Sequence, residues 1–229
     1  MKRTLLAIVA MLFLADLIYL GWKWPDWDDL AHGRIKSTSF MDAYQARRKE
    51  DKKLPPLRFK LVSANKISPY MFRAVIISED SQFYQHDGVD WDAVKNALIR
   101  NVSSDKRTIG GSTISQQLTK NLFLSSSRSI FRKWHEFVLT KALEAHLTKE
   151  QILWLYLNVA EFGRGVYGVE AAAQHYWNIS ARELSPWQAA ALAASLPGPK
   201  RNNPDTDSTR FRRYTSRIYK RLMRPRYEP

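Results

Sequence analysis

Glu79 and Asp80 close an apolar run, Met71 to Ile77, and lead into Phe83, His86, Gly88 and Asp90. A carboxylate with one apolar wall suits general-base work, because desolvation raises its pKa toward neutrality. Further along, Gly110-Gly111-Ser112-Thr113 precedes a polar helix start at Ile114-Ser115-Gln116-Gln117. Backbone N–H groups at such a start can face an anion. The two stretches read together as a carboxylate beside a phosphate site, and the transfer of a sugar from a diphosphate carrier fits both.

The elements that must position these residues are helices. Ser68-Pro69 opens one that carries Met71, Phe72, Val75 and Ile76 and ends near Glu79. Asp90 caps a second and Ser112 a third, which carries Ile114, Leu118 and Leu122; a longer fourth follows Ser129. Thr148 with Gln151, and Ser185 with Gln188, are capping boxes for two more. No alternating strand pattern stands out, so the expected fold is mostly α-helical, with any strand short and peripheral. From Lys200 to Pro229 the tail is basic, with Phe211, Tyr214, Ile218 and Leu222 along one helical face. Such a helix either packs on a core with a solvated basic back or meets anionic headgroups.

A chain of 229 residues with 45% hydrophobic content can bury one substantial core. Its net charge of +14 calls for an acidic partner. Lys2 and Arg3 precede an apolar run from Thr4 to Trp22, long enough for a hydrocarbon core of about 30 Å, with tryptophans at 22, 24 and 27 to mark its outer interface. This reads as one transmembrane helix with a cytoplasmic N-terminus, which favours anionic lipid or a phosphorylated substrate over nucleic acid. Asp16 is the anomaly, since an acid in the middle of a span costs roughly 2.5 to 3.5 kcal/mol; it either meets a helix partner or lies near enough to the outer end to be hydrated. The chain has no cysteine, so an exported domain would depend on no disulfide.

The ordered motifs resemble the peptidoglycan glycosyltransferase family, family fifty-one of the glycosyltransferases, in its monofunctional biosynthetic form. Glu79-Asp80 with Phe83, His86, Gly88 and Asp90 is similar to its first motif, Gly110 to Asn121 to its second, and Arg132-Lys133-Trp134-His135-Glu136 to its third. Lys149 to Asn158 and Glu161 to Ala173 are similar to later, mainly scaffolding, blocks. The resemblance implies a lysozyme-like helical domain over residues 57–204, with 1–24 the anchor, 25–56 a linker and 205–229 a basic amphipathic helix and tail. It implies polymerisation of lipid II into β-1,4-linked glycan at the bacterial inner membrane, on the periplasmic side, with inversion, release of undecaprenyl diphosphate and no transpeptidase domain. Glu79 is then the base and Glu136 the second essential carboxylate, a candidate holder of a divalent cation, Mg²⁺ or Mn²⁺. Asp80 supports Glu79 and is grouped with the substrate-binding residues of the cleft. Lys120 and Arg128 match positions that bind the donor diphosphate, Arg132 and Lys133 add charge, and Ser112, Gln116 and Gln117 line the same cleft. His135 and Asn96 depart from some relatives, which carry a lysine and an arginine there. Implied partners are lipid II, the growing glycan strand, membrane lipids and cell-wall or division proteins, with no nucleotide and no nucleic acid. The competing classes are a glycan-cutting lytic enzyme of the same helical type and a non-catalytic basic membrane adaptor.

Overall fold

The structure is a computed structural model and describes residues 2–22, 24–103, 111–125, 127, 129–206 and 208–224. Helix α1 (Lys2–Trp22) is followed by α2 (Trp27–Ala31), α3 (Ser39–Glu50) and the short strand β1 (Arg58–Phe59). Next come α4 (Pro69–Glu79), α5 (Trp91–Ser103), α6 (Ile114–Phe123), α7 (Ile130–His146) and α8 (Lys149–Val159). Strands β2 (Glu161–Gly163) and β3 (Val166–Tyr167) precede α9 (Val169–Trp177), α10 (Pro186–Ser195) and α11 (Thr209–Leu222). The chain is mostly helical, as its apolar periodicity requires.

Helix α8 is apolar nearly all round, with Ile152, Leu153, Leu155, Tyr156 and Leu157 all buried, and it occupies the centre of the core. Helix α6 packs on it through Ile114, Leu118 and Leu122, a four-residue spacing that keeps one face inward. On the other side α10 buries Ala189 to Ala194; these small side chains let α4 and α11 approach closely. The predicted capping boxes at Thr148 with Gln151 and at Ser185 with Gln188 both form.

Three expectations are corrected. The stretch 25–56 is not a linker: α2 and α3 place Trp27, Leu30, Met41 and Tyr44 in the core, and Trp27 stacks on His146 at 5.2 Å. The strands are short but not peripheral, because Phe162, Val166 and Tyr167 are buried; β1 pairs parallel with β3, and β2 antiparallel. Thr113, not Ser112, caps α6, its Oγ1 accepting from Gln116 N–H at 3.2 Å. Of the two readings of the basic C-terminal helix, core packing is the one that forms: Phe211, Ile218 and Leu222 of α11 belong to the core. Among the described residues, no helix is long and apolar enough to cross a membrane.

The loop from Asp80 to Asp90 is the part of the fold that serves the site, and it is tied down on all sides. Thr113 Oγ1 donates to Gly88 O at 2.6 Å, Lys149 Nζ to His86 O at 2.6 Å and Lys141 Nζ to Asp87 O at 2.9 Å. Gly88 has φ +85°, and a Cβ there would sit 2.8 Å from Thr140 Cγ2 and 3.0 Å from Glu144 Cγ. Both strain and overlap oppose a side chain. Gly88→Ala is expected to destabilise the protein by about 2 kcal/mol, and a denaturant titration with an unmoved midpoint would refute this.

Candidate active site

Glu79 is the last residue of α4 and stands half-buried where α4, α6 and α11 meet. Its Oε2 accepts from Gln117 Nε2 at 2.9 Å, and Gln117 Oε1 accepts from Tyr156 O–H at 2.8 Å. The tyrosine thereby orients the amide, leaving its NH₂ for the carboxylate. Burial, with the charges of Glu79 and Asp80 nearby, holds the Tyr156 phenol well above its ordinary value, so it remains a donor. Burial likewise raises the Glu79 carboxyl; the charge of Asp80 adds to this, while the Gln117 hydrogen bond and Lys120 pull the other way. The result is a carboxylate that holds a proton more readily than a free one, as a base working near neutrality requires.

Glu79, Ser112, Gln117 and Lys120 line one cavity of about 1000 Å³. Lys120 projects from the last turn of α6 between two carboxylates. Burial lowers its pKa, the attraction of Glu136 raises it, Arg132 and Lys133 lower it, and Glu79 raises it. Its ammonium lies 5.9 Å from the Phe40 ring of α3, so the stretch expected to be a linker reaches Lys120. Beside it, Glu136 of α7 is buried and paired twice, with Arg132 Nη1 at 2.5 Å and with Lys133 Nζ. Arg132 Nε is buried and, among the described residues, unpartnered.

Two expected cleft residues point elsewhere. Asp80 is 7% exposed; its Oδ2 accepts from Ile114 N–H at 3.0 Å, and both its oxygens lie 3.1 Å from His86 Nε2. The start of α6, expected to face a ligand phosphate, thus has an anion from its own chain. Gln116 is also buried, and its Oε1 accepts from Thr113 N–H at 3.1 Å in the capping box. Both residues build the site rather than line it. Arg128 and Gly110 lie outside the described residues. As a metal ligand Glu136 does not fit, because both oxygens already carry cationic side chains. No cluster of three or more His, Asp or Glu suited to a metal occurs among the described residues.

The opposite wall of the cavity escaped the sequence reading. It is formed by α11, whose Arg210, Arg213 and Arg217 face the space that Glu79 and Lys120 line. Tyr214 O–H donates to Ser78 O at 3.2 Å and Arg221 Nη1 to Ile77 O at 3.0 Å, clamping α11 over the end of α4. The available signal was the three- and four-residue spacing of those arginines beside the apolar face; it showed a basic stripe but not what the stripe faces.

Gln117→Leu removes the hydrogen bond that favours ionised Glu79. The acid limb of kcat/KM is therefore expected to move to higher pH; an unmoved limb would detach Gln117 from the base.

A profile of the transglycosylase family matches residues 49–223. Similar curated proteins are biosynthetic peptidoglycan transglycosylases. That of Laribacter hongkongensis (strain HLHK9) is 41% identical over 224 residues, 96% of this chain and 95% of that protein. That of Chromobacterium violaceum is 42% identical over 225 residues, 97% of each, and that of Alcanivorax borkumensis 46% identical over 202 residues, 86% and 78%.

Proposed function

Since the chain belongs to the peptidoglycan transglycosylase family, we propose that it polymerises lipid II into β-1,4-linked glycan at the bacterial inner membrane. The observation that carries this reading is one cavity in which Glu79, its carboxyl raised in pKa by burial, faces Lys120 and the arginines of α11.

In this reading the acceptor sugar's 4-hydroxyl oxygen attacks the donor's anomeric carbon and passes its proton to Glu79. The bond from that carbon to the diphosphate oxygen breaks, and undecaprenyl diphosphate leaves as an anion. Attack from the face opposite the leaving group inverts the anomeric centre. The leaving group needs charge stabilisation rather than a proton, and Lys120 with the Arg132–Lys133 pair supplies it. Arg128 matches the same role in sequence. Glu136 holds Arg132 and Lys133 at the diphosphate, and no step is routed through a metal. Arg210, Arg213 and Arg217 give a second anionic carrier a place across the cleft.

Membrane anchoring belongs to the same proposal. It rests on the sequence alone: the run from Thr4 to Trp22 is apolar but for Asp16, and tryptophans stand at 22, 24 and 27. Lys2 and Arg3 favour a cytoplasmic start and a periplasmic catalytic domain. Lipid II incubated with the full chain in bilayers should yield glycan strands. No polymer from a folded protein would overturn the reading, and shortening of preformed glycan would replace it with a lytic one.

A further inference from the structure

Asp16, the single acid in the apolar run from Thr4 to Trp22, is not left to lipid or water. Its Oδ1 lies 2.6 Å from His135 Nε2, and its Oδ2 accepts from Trp134 Nε1 at 3.1 Å. The Asp16 side chain is 18% exposed and that of His135 15%. With its proton on Nε2 the imidazole donates whether neutral or charged. Ring contacts extend the junction along α1 in both directions: Phe13 meets Trp134 at 6.3 Å, and Tyr19 stacks on His135 at 5.8 Å. Residues 13, 16 and 19 follow a three-residue spacing, so one stripe of α1 is committed to α7.

The place on α7 is what gives this contact a consequence. Trp134 and His135 fall between Lys133 and Glu136 in sequence. Successive helical residues point about 100° apart, so the rotation of α7 that sets Glu136 with Arg132 and Lys133 beside Lys120 also turns Trp134 and His135 toward α1. A change in one orientation is a change in the other.

We propose that Asp16 is a positioning residue for glycosyl transfer: through His135 and Trp134 it fixes the rotation of α7, and with it the cation cluster around Glu136, relative to the helix that anchors the enzyme. The proposal rests on the transferase reading above. It gives the costly acid a task, because a span with Leu at this position would enter a bilayer more readily.

That asymmetry makes Asp16→Leu a clean probe: membrane insertion is expected to improve, so lost turnover cannot be put down to failed insertion. Initial rates of lipid II polymerisation would be measured with the full-length protein in bilayers for the wild type, Asp16→Leu, His135→Leu, the double variant and His135→Lys. Each single Leu variant is expected to lose about tenfold in kcat with little change in KM, as for loss of a charge-assisted hydrogen bond. The double variant should lose no more than the worse single one, because both remove the same contact. His135→Lys, which keeps a hydrogen-bond donor facing Asp16, should retain most of the rate. Wild-type rates in Asp16→Leu, losses that multiply in the double variant, or failure of His135→Lys to retain the rate would each overturn the positioning role while leaving the transferase reading intact. A wild-type protein that made no glycan would remove both.

Discussion

Glu79→Gln is expected to lower turnover by about 10²- to 10⁴-fold, the usual worth of a general base, and at neutral pH to raise the melting temperature. The gain in stability follows from the direction of the Glu79 pKa. Burial raises it in the folded protein above its value in the unfolded chain. Between those two values the folded state keeps a proton that the unfolded state has released, so stability falls as pH rises through the window. Above the folded pKa the ionised carboxylate is a standing cost that Gln does not carry, and Gln can still accept from Gln117. The gain should therefore be largest near pH 7 and fade below about pH 4, as the carboxyl becomes protonated in both states. Activity and thermal melts of the two proteins at both pH values test this together. A Glu79→Gln protein that is inactive and also less stable at neutral pH would mean that Glu79 holds the fold rather than serving the reaction.

Glu136→Gln should also abolish most activity, but with the opposite sign in stability: a loss of about 3 kcal/mol, as for breaking a buried ion pair from one side. Here the carboxylate is 3% exposed and satisfies Arg132, itself mostly buried, as well as Lys133. Gln offers one acceptor and no charge, leaving two cations to repel each other beside Lys120. The estimate sits at the low end of its range because the Lys133 side chain is half exposed and recovers water. Glu136→Gln with wild-type stability would show that the cation cluster holds without its counter-charge. The two carboxylates are thus separable in a single melting experiment, one raised in pKa by burial and the other bonded to two cations.

Local chemistry was legible from the sequence because it needs only near neighbours. The end of α4 at Glu79, the Asp90 cap (Ala93 N–H to Oδ1, 2.7 Å) and the boxes of α8 and α10 each depend on residues three or four apart. The two motifs around Glu79 and Gln117 lie on elements that meet at one cavity. Long-range contacts decided what those elements do. That Asp80 occupies the start of α6 is a contact across 34 residues, and a helix N-terminus looks the same in sequence whether a ligand or its own chain fills it. The basic face of α11 was visible as a stripe, yet only its packing on α4 and α10 turns that stripe into a wall of the cleft. Asp16 was visible as an anomaly with no assignable partner, because His135 lies 119 residues away and nothing local links them. Composition and periodicity determined that this chain is helical and basic, with a carboxylate pair at the end of an apolar helix. Tertiary structure decided which charges face the cavity and which face one another, since burial and pairing are properties of the folded surface.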